Sequence, residues 1–286
     1  MEIIRVLNIT KKYKDVIALN NVSLSINEGE LYGLLGVNGA GKTTLIKILS
    51  GLTKKDSGDA NIKGFNLDKI DEIKKIVDIS PQEVAVANNL SVYENLVFFQ
   101  ELYNAKDKEY LNMIIDSLGL RDVINKKAKA LSGGYQRRLS IAMGLMSKPE
   151  ILFLDEPTLG LDVIARRELW NIIRKFKGKI TIILTSHYLE EIEALCDNIG
   201  VMSKGRLLFQ GTVEEIKNKT NEDSFEEAFI KIVGEEYEED IYFCKKKFKR
   251  DVKRSFIIYI LLCIPNIINY IISNYYEIFW RKDSYI

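Results

Sequence analysis

An eight-residue glycine-rich segment constrains the fold of this 286-residue chain more than any other feature. Gly36–Thr43 reads Gly-Val-Asn-Gly-Ala-Gly-Lys-Thr and fits the pattern G-x-x-x-x-G-K-[ST]. The sequence predicts a strand over Glu30–Leu35 before it and a helix over Thr43–Leu49 after it. Glycines let successive N–H groups point at phosphate oxygens, and the helix N-terminus adds positive charge. The segment, here called the phosphate loop, therefore predicts binding of a nucleoside triphosphate, with Lys42 on the phosphates and Thr43 on Mg²⁺.

Two later apolar runs predict strands that are buried on both faces. Ile151–Leu154 and Ile180–Leu184 are typical of parallel sheets covered by helices. The first run ends in Asp155 and Glu156, at the strand end where α/β sheets bind ligands. There Asp155 would help to hold Mg²⁺, and Glu156 would accept the proton of an attacking water. The alternative is a pair of surface acids at a strand end, which the phosphate loop makes the weaker interpretation.

A third segment, Leu131-Ser132-Gly133-Gly134-Tyr135-Gln136, carries a family resemblance. Together with the phosphate loop and the acidic pair it resembles the ATP-binding cassette (ABC) family, of the drug- and antibiotic-export type. It nearly reproduces the family's signature Leu-Ser-Gly-Gly-Gln, with Tyr135 at the fifth position and a glutamine following. From the residues alone, Ser132 could simply cap the helix that it heads.

The resemblance assigns roles to four further residues. Tyr13 resembles the aromatic residue that stacks on adenine, and Gln82 the glutamine that touches Mg²⁺ and the attacking water. Asp162 resembles the loop acid that communicates between two cassettes, and His187, the only histidine, resembles the residue that contacts the γ-phosphate. Each has a plain structural alternative: a half-buried strand aromatic, a loop glutamine, a helix cap and a structural histidine.

The implied site therefore has three overlapping groups of residues. The catalytic group is Glu156, His187, Lys42 and Gln82. The nucleotide-binding group is Tyr13, Gly36, Asn38, Gly39, Ala40, Gly41, Lys42, Thr43, Thr44, Ser132, Gly133, Gly134 and Asp162. The metal ligands are Thr43, Gln82 and Asp155, and the implied cofactors are ATP and Mg²⁺.

The resemblance covers residues 1–234 and implies an α/β fold. It implies a P-loop NTPase (RecA-like) core with a parallel sheet, an N-terminal antiparallel β subdomain, and an α-helical subdomain over about residues 83–150. The alternation over Val22–Ile26 favours a strand, and helices are predicted over Tyr93–Tyr103 and Tyr110–Leu118.

The last 52 residues differ in composition from the rest of the chain. We expect a charged linker over 235–254 and a hydrophobic tail over 255–286. Residues 255–276 carry no charge, and about 20 apolar residues suffice to cross a bilayer. Pro265, Asn266 and Asn269 weaken a transmembrane segment, so an interfacial helix or a helix packed on the cassette remain alternatives.

Charge and cysteine content limit the partners and the cellular compartment that we expect for this chain. With 41 basic and 40 acidic residues the chain is nearly neutral, which argues against a nucleic-acid partner. Cys196, Cys244 and Cys263 form no disulfide framework, and Met1–Arg5 lacks the features of a signal peptide. A reducing compartment follows, and we expect the cytoplasmic face of the cell membrane.

The function implied by the resemblance is ATP hydrolysis that powers an ABC membrane transporter, an exporter in this interpretation. Its partners would be ATP, a membrane permease subunit and a second cassette, in a homodimer or a heterodimer. The alternative is a soluble ABC ATPase that acts on ribosomes or DNA. A nonhydrolysing regulatory cassette is a third option, against which the intact Glu156 and His187 argue.

Overall fold

The computed structural model describes residues 1–104 and 106–234, and Met1–Val233 form one compact unit. The predicted charged linker (235–254) and hydrophobic tail (255–286) lie outside the described residues. Within the described part of the chain, no helix has both the length and the apolar character that crossing a bilayer requires.

Strands and helices alternate along most of the chain. In chain order the strands are β1 Glu2–Tyr13, β2 Val16–Asn27, β3 Leu31–Leu35, β4 Ser57–Ile62, β5 Phe65–Asn66, β6 Val77–Ser80, β7 Ile151–Asp155, β8 Thr181–Ser186, β9 Asn198–Ser203 and β10 Arg206–Gly211. The helices are α1 Lys42–Leu49, α2 Ile70–Ile76, α3 Val92–Leu102, α4 Lys108–Ser117, α5 Gly133–Leu145, α6 Val163–Arg174, α7 Leu189–Leu195, α8 Val213–Thr220 and α9 at 225–234.

The central sheet is parallel except at one edge. Its strand order is β10-β9-β3-β8-β7-β6, and only the β9–β10 pair is antiparallel. Every residue of β3, β7 and β8 is buried, and alternate residues enter two different hydrophobic clusters, one on each face. The predicted α/β class and doubly covered strands are therefore confirmed, and the apolar runs exist because both faces pack against other elements.

The N-terminal part forms a second sheet, as predicted. Its order is β2-β1-β4-β5, and all of its pairs are antiparallel. Inward-facing residues of β1 and β2, such as Ile4, Val6, Leu24 and Ile26, pack in the same cluster as the apolar face of α1. This packing fixes the helix that follows the phosphate loop against both sheets.

The segment between β6 and β7 is helical. The helices predicted over Tyr93–Tyr103 and Tyr110–Leu118 are α3 and α4, and each begins one or two residues earlier than expected. N-caps set these starts: the Ser91 side chain accepts from the backbone of Glu94, and the Asp107 side chain accepts from Tyr110. The apolar faces of these helices pack with α5 in the larger cluster.

Sheet register brings the predicted site residues to one edge. Leu35, which precedes the phosphate loop, pairs with Ser186, and Asp155 pairs with Thr185. Because parallel strands end at the same edge of a sheet, the segments after β3, β7 and β8 lie side by side.

Candidate nucleotide-binding site

Close backbone packing shapes the phosphate loop. Gly41 has φ +102°, and a Cβ atom there would lie 2.5 Å from the carbonyl oxygen of Ala18. A Cβ atom at Gly36 would collide with the carbonyl oxygen of Met202. Only glycine fits at these two positions.

The loop is open to solvent at its tip and buried at its base. Asn38 and Gly39 are exposed, whereas Gly36 and Ala40 are buried. Helix α1 begins at Lys42, so the N–H groups of its first turn, which includes Thr43 and Thr44, have no acceptors within the helix. These N–H groups and the exposed tip are suited to an anion.

Two predicted catalytic side chains, Lys42 and His187, contact the buried carboxylate of a third, Glu156. Lys42 Nζ donates to the carbonyl oxygen of Gly36 at 2.5 Å and lies 3.4 Å from Glu156 Oε1. His187 Nδ1 lies 2.8 Å from Glu156 Oε2. Lys42 and Glu156 are 6% and 7% exposed, whereas His187 is partly exposed. An ammonium and an imidazole thus hold a carboxylate that could accept a proton.

Glu156 also has an unusual backbone. Its φ is +47°, in the left-handed region that is uncommon for residues other than glycine. Its N–H donates to Thr185 Oγ1 at 2.8 Å, which helps to hold this conformation. Such strain occurs often at functional sites, where the surroundings fix a side chain in one direction.

Oxygen atoms gather beside this carboxylate. Asp155 Oδ1 accepts hydrogen bonds from Thr43 Oγ1 at 3.0 Å and from Thr185 Oγ1 at 2.6 Å. Among residues 1–104 and 106–234, no group of three or more His, Cys, Asp or Glu side chains could hold a metal ion. One carboxylate and one hydroxyl nonetheless fit Mg²⁺, which is usually held by one or two carboxylates, waters and substrate phosphates.

Two further predicted residues are exposed at the surface. Tyr13 ends β1 and is 45% exposed, with Lys11 Nζ 5.2 Å from its ring centroid. Gln82 lies exposed in the loop after β6. Both are accessible to a ligand, and their roles stay predictions.

Ser132 and Asp162 occupy the same kind of position and behave differently. Ser132 is the N-cap residue of α5, but its side chain makes no capping hydrogen bond, contrary to the cap that the residue type suggests. Asp162 caps α6 by accepting from the N–H groups of Ile164 and Ala165, each at 2.9 Å. Ser132 and Gly133 are exposed, and Gly134 is half-buried.

Sequence reasoning missed Thr185 and Arg137. Thr185 hydrogen bonds with both acids of the predicted pair, and its place just before Ser186 and His187 was the available indication. Arg137 is buried on α5 and donates to the carbonyl oxygens of Pro81 and Gln82 at 2.7 and 2.5 Å. Nothing in the sequence links these two segments.

Comparisons with known proteins agree with this geometry. A model of the family described as ABC transporter matches residues 19–159. The chain is 34% identical over 235 residues to the linearmycin resistance ATP-binding protein LnrL of Bacillus subtilis (strain 168), across 80% of this chain and 76% of that protein. It is also 34% identical over 241 residues to the "Probable multidrug ABC transporter ATP-binding protein YbhF" of Escherichia coli (strain K12), across 81% of this chain but only 42% of that protein.

A solved structure of an ABC transporter subunit is also similar to this chain. An ATP-binding subunit of an ABC transporter is similar with a TM-score of 0.72 and 26% identity, covering 80% of this chain and 99% of that one. The P-loop NTPase fold implied by the sequence is therefore confirmed.

Proposed function

Because this chain belongs to the ABC transporter family, as a subunit that binds and hydrolyses ATP, we propose that it powers a membrane exporter by the closure of two cassettes around MgATP. The names of the relatives, linearmycin resistance and multidrug transport, support export as the direction. They also favour a transporter over a soluble ATPase that acts on ribosomes or DNA. The proposed partner is a membrane permease subunit, which would carry the contacts to the transported substrate, and the proposed location is the cytoplasmic face of the membrane.

The observation that carries the proposed chemistry is the contact of Lys42 and His187 with Glu156 beside the phosphate loop. Lys42 would release Glu156 to neutralise phosphate charge, and Glu156 would then accept the proton of the attacking water. His187 would contact the γ-phosphate through its partly exposed ring. Such catalysis relies on positioning and charge stabilisation.

We assign the metal and the base to neighbouring side chains. Mg²⁺ would be held by the Thr43 hydroxyl and the Asp155 carboxylate, with Gln82 approaching from its loop, and would neutralise phosphate charge. The hydrogen bond from Thr185 keeps Asp155 oriented toward Thr43. The exposed ring of Tyr13 would stack on the adenine.

The second cassette would bind through the Ser132 segment. Ser132 and Gly133 are exposed at the start of α5, and the serine hydroxyl is not used for capping. A phosphate held by another cassette would therefore find N–H groups and a hydroxyl at this helix end. Asp162 would lie in the same interface while it caps α6. The pair would be either two copies of this chain or this chain with a different cassette.

Glu156→Gln tests this proposal, because it removes the proton acceptor and keeps the shape of the side chain. We expect the variant to bind MgATP without turnover and to elute from gel filtration as a dimer with MgATP and as a monomer without it. Glu190→Gln, the same change at an exposed position of α7, should behave like the native chain. A Glu156→Gln protein that stays monomeric with MgATP would contradict closure of two identical cassettes, and co-purification from native membranes would then identify a different cassette as well as the permease.

A further inference from the structure

A fully buried glutamate lies behind the catalytic cluster. Glu191 on α7 is 0% exposed, and burial raises its pKa above the ordinary value. Its Oε1 accepts from Trp170 Nε1 at 3.1 Å, and its Oε2 accepts from Thr158 Oγ1 at 3.0 Å. The Ser186 hydroxyl also lies near this carboxyl group and partly offsets the rise in its pKa. Burying a carboxyl group costs free energy unless hydrogen-bond donors surround it. The groups around Glu191 are therefore held in position by their shared contact with it.

The groups around Glu191 come from three segments of the site. Ser186 ends β8 and directly precedes His187. Thr158 is two residues beyond Glu156, in the loop that leads to the Asp162 cap. Trp170 lies on α6, the helix that Asp162 caps. One side chain thus joins the segments that carry the proposed base, the proposed γ-phosphate contact and the proposed interface acid.

A second contact between α6 and the start of α7 lies one helical turn away. The guanidinium carbon of Arg166 lies 4.2 Å from the ring centroid of Tyr188. The Tyr188 ring centroid lies 4.1 Å from that of His187, with an interplanar angle of 39°. Helix α6 therefore contacts the first turn of α7 and its cap twice, through Arg166 on Tyr188 and through Trp170 on Glu191. Arg166 and Trp170 are four residues apart on one helix face.

We propose that Glu191 is a positioning residue that holds the loop from Glu156 to Asp162 and the His187 segment as one unit. The inference rests on the proposed roles of Glu156 and His187. Glu191 touches neither of them, so it would act through Thr158, Ser186 and Trp170. If the unit loosens, the 2.8 Å approach of His187 Nδ1 to Glu156 Oε2 is lost. While the unit is intact, a contact of Asp162 with a second cassette would be transmitted through it to His187.

Kinetics of single-group deletions test this inference in the full chain with MgATP. Thr158→Val and Trp170→Phe each delete one donor, whereas Glu191→Gln replaces one acceptor oxygen by a donor. We expect kcat to fall about tenfold or more in all three, because misplacement of about 1 Å can cost up to about a hundredfold. KM for ATP should stay within about twofold, since the phosphate loop and Tyr13 do not contact these groups. Glu190→Gln is the matched control, with native kcat and KM expected.

The kcat and KM values separate positioning from a merely structural role. Folded variants with native kcat per molecule would overturn the inference, and so would a rise in KM at unchanged kcat. Should Glu191→Gln fail to fold, Thr158→Val and Trp170→Phe decide the question by the same criterion. If Lys42→Ala hydrolyses ATP at the native rate, the proposed site itself is wrong. If Lys42→Ala abolishes hydrolysis but the three substitutions around Glu191 leave kcat unchanged, only the role of Glu191 is refuted.

Discussion

Arg137 offers a quantitative test of how α5 holds the loop that carries Gln82. Arg137 is 3% exposed, and its guanidinium donates to the carbonyl oxygens of Pro81 and Gln82 at 2.7 and 2.5 Å. A hydrogen bond from a charged donor contributes about 1.5–3 kcal/mol to stability. Because Gln82 is exposed and Pro81 is only half-buried, water can partly replace the lost donor at both carbonyl oxygens, and the lower value applies to each bond. Arg137→Met should therefore lower the free energy of unfolding by about 3 kcal/mol.

Thermal unfolding followed by circular dichroism measures this effect. For a chain of this size about 1 kcal/mol corresponds to about 2–4 °C, so Tm should fall by about 6–12 °C. Arg137→Lys, whose single ammonium can reach one carbonyl, should lose about half as much. Arg167→Met removes the same charge from an exposed position of α6 and should change Tm by less than about 2 °C. Equal shifts for Arg137→Met and Arg167→Met would refute the reasoning.

Four further substitutions probe the phosphate loop and its neighbours. Lys42→Ala should reduce ATP hydrolysis to background in a phosphate-release assay, because it removes the buried positive charge of the site. Gly41→Ala should abolish binding of a fluorescent ATP analogue, since a Cβ atom would lie 2.5 Å from the Ala18 carbonyl oxygen. Gly39→Ala should weaken binding but leave it measurable, because the φ of +82° strains an alanine there while its Cβ would meet no atom within 4 Å. Thr185→Val should lower the free energy of unfolding, measured by chemical denaturation, by about 1–3 kcal/mol and should also lower kcat. The substitution removes the hydrogen bonds of Thr185 with both Asp155 and Glu156.

Local sequence predicted the phosphate loop well because the motif contains its own structural causes. The strand β3, the glycines that permit close packing and the helix α1 are adjacent in the chain. The acidic pair was equally predictable, since an apolar run ending in two acids specifies both the strand and its end. The segments beyond 234 lie outside the described residues, so the linker and tail stay predictions.

Residues joined by long-range contacts could not be predicted in this way. Arg137 and Gln82 are 55 positions apart, and Thr158 and Glu191 are 33 positions apart. No periodicity or motif spans such distances, so in the sequence Glu191 looks like its neighbour Glu190, although the first is buried and the second is exposed. Helical spacing places Glu191 on the inner face of α7. Which donors contact Glu191 depends, however, on how α6 packs against α7.

The contrast between Ser132 and Asp162 shows why identical local preference can have different consequences. Both residue types are good N-caps, and both precede a helix of at least twelve residues. Asp162 accepts hydrogen bonds from two N–H groups of its own helix with Oδ1, so this oxygen is used within its own chain. Ser132 leaves its hydroxyl and the first N–H groups of α5 without an intrahelical acceptor. An N-cap side chain that bonds to its own helix stabilises that helix. An exposed N-cap side chain without such a bond, followed by two glycines, leaves its hydroxyl and the helix N–H groups accessible to an anion. For this reason we place the γ-phosphate bound by a second cassette at Ser132.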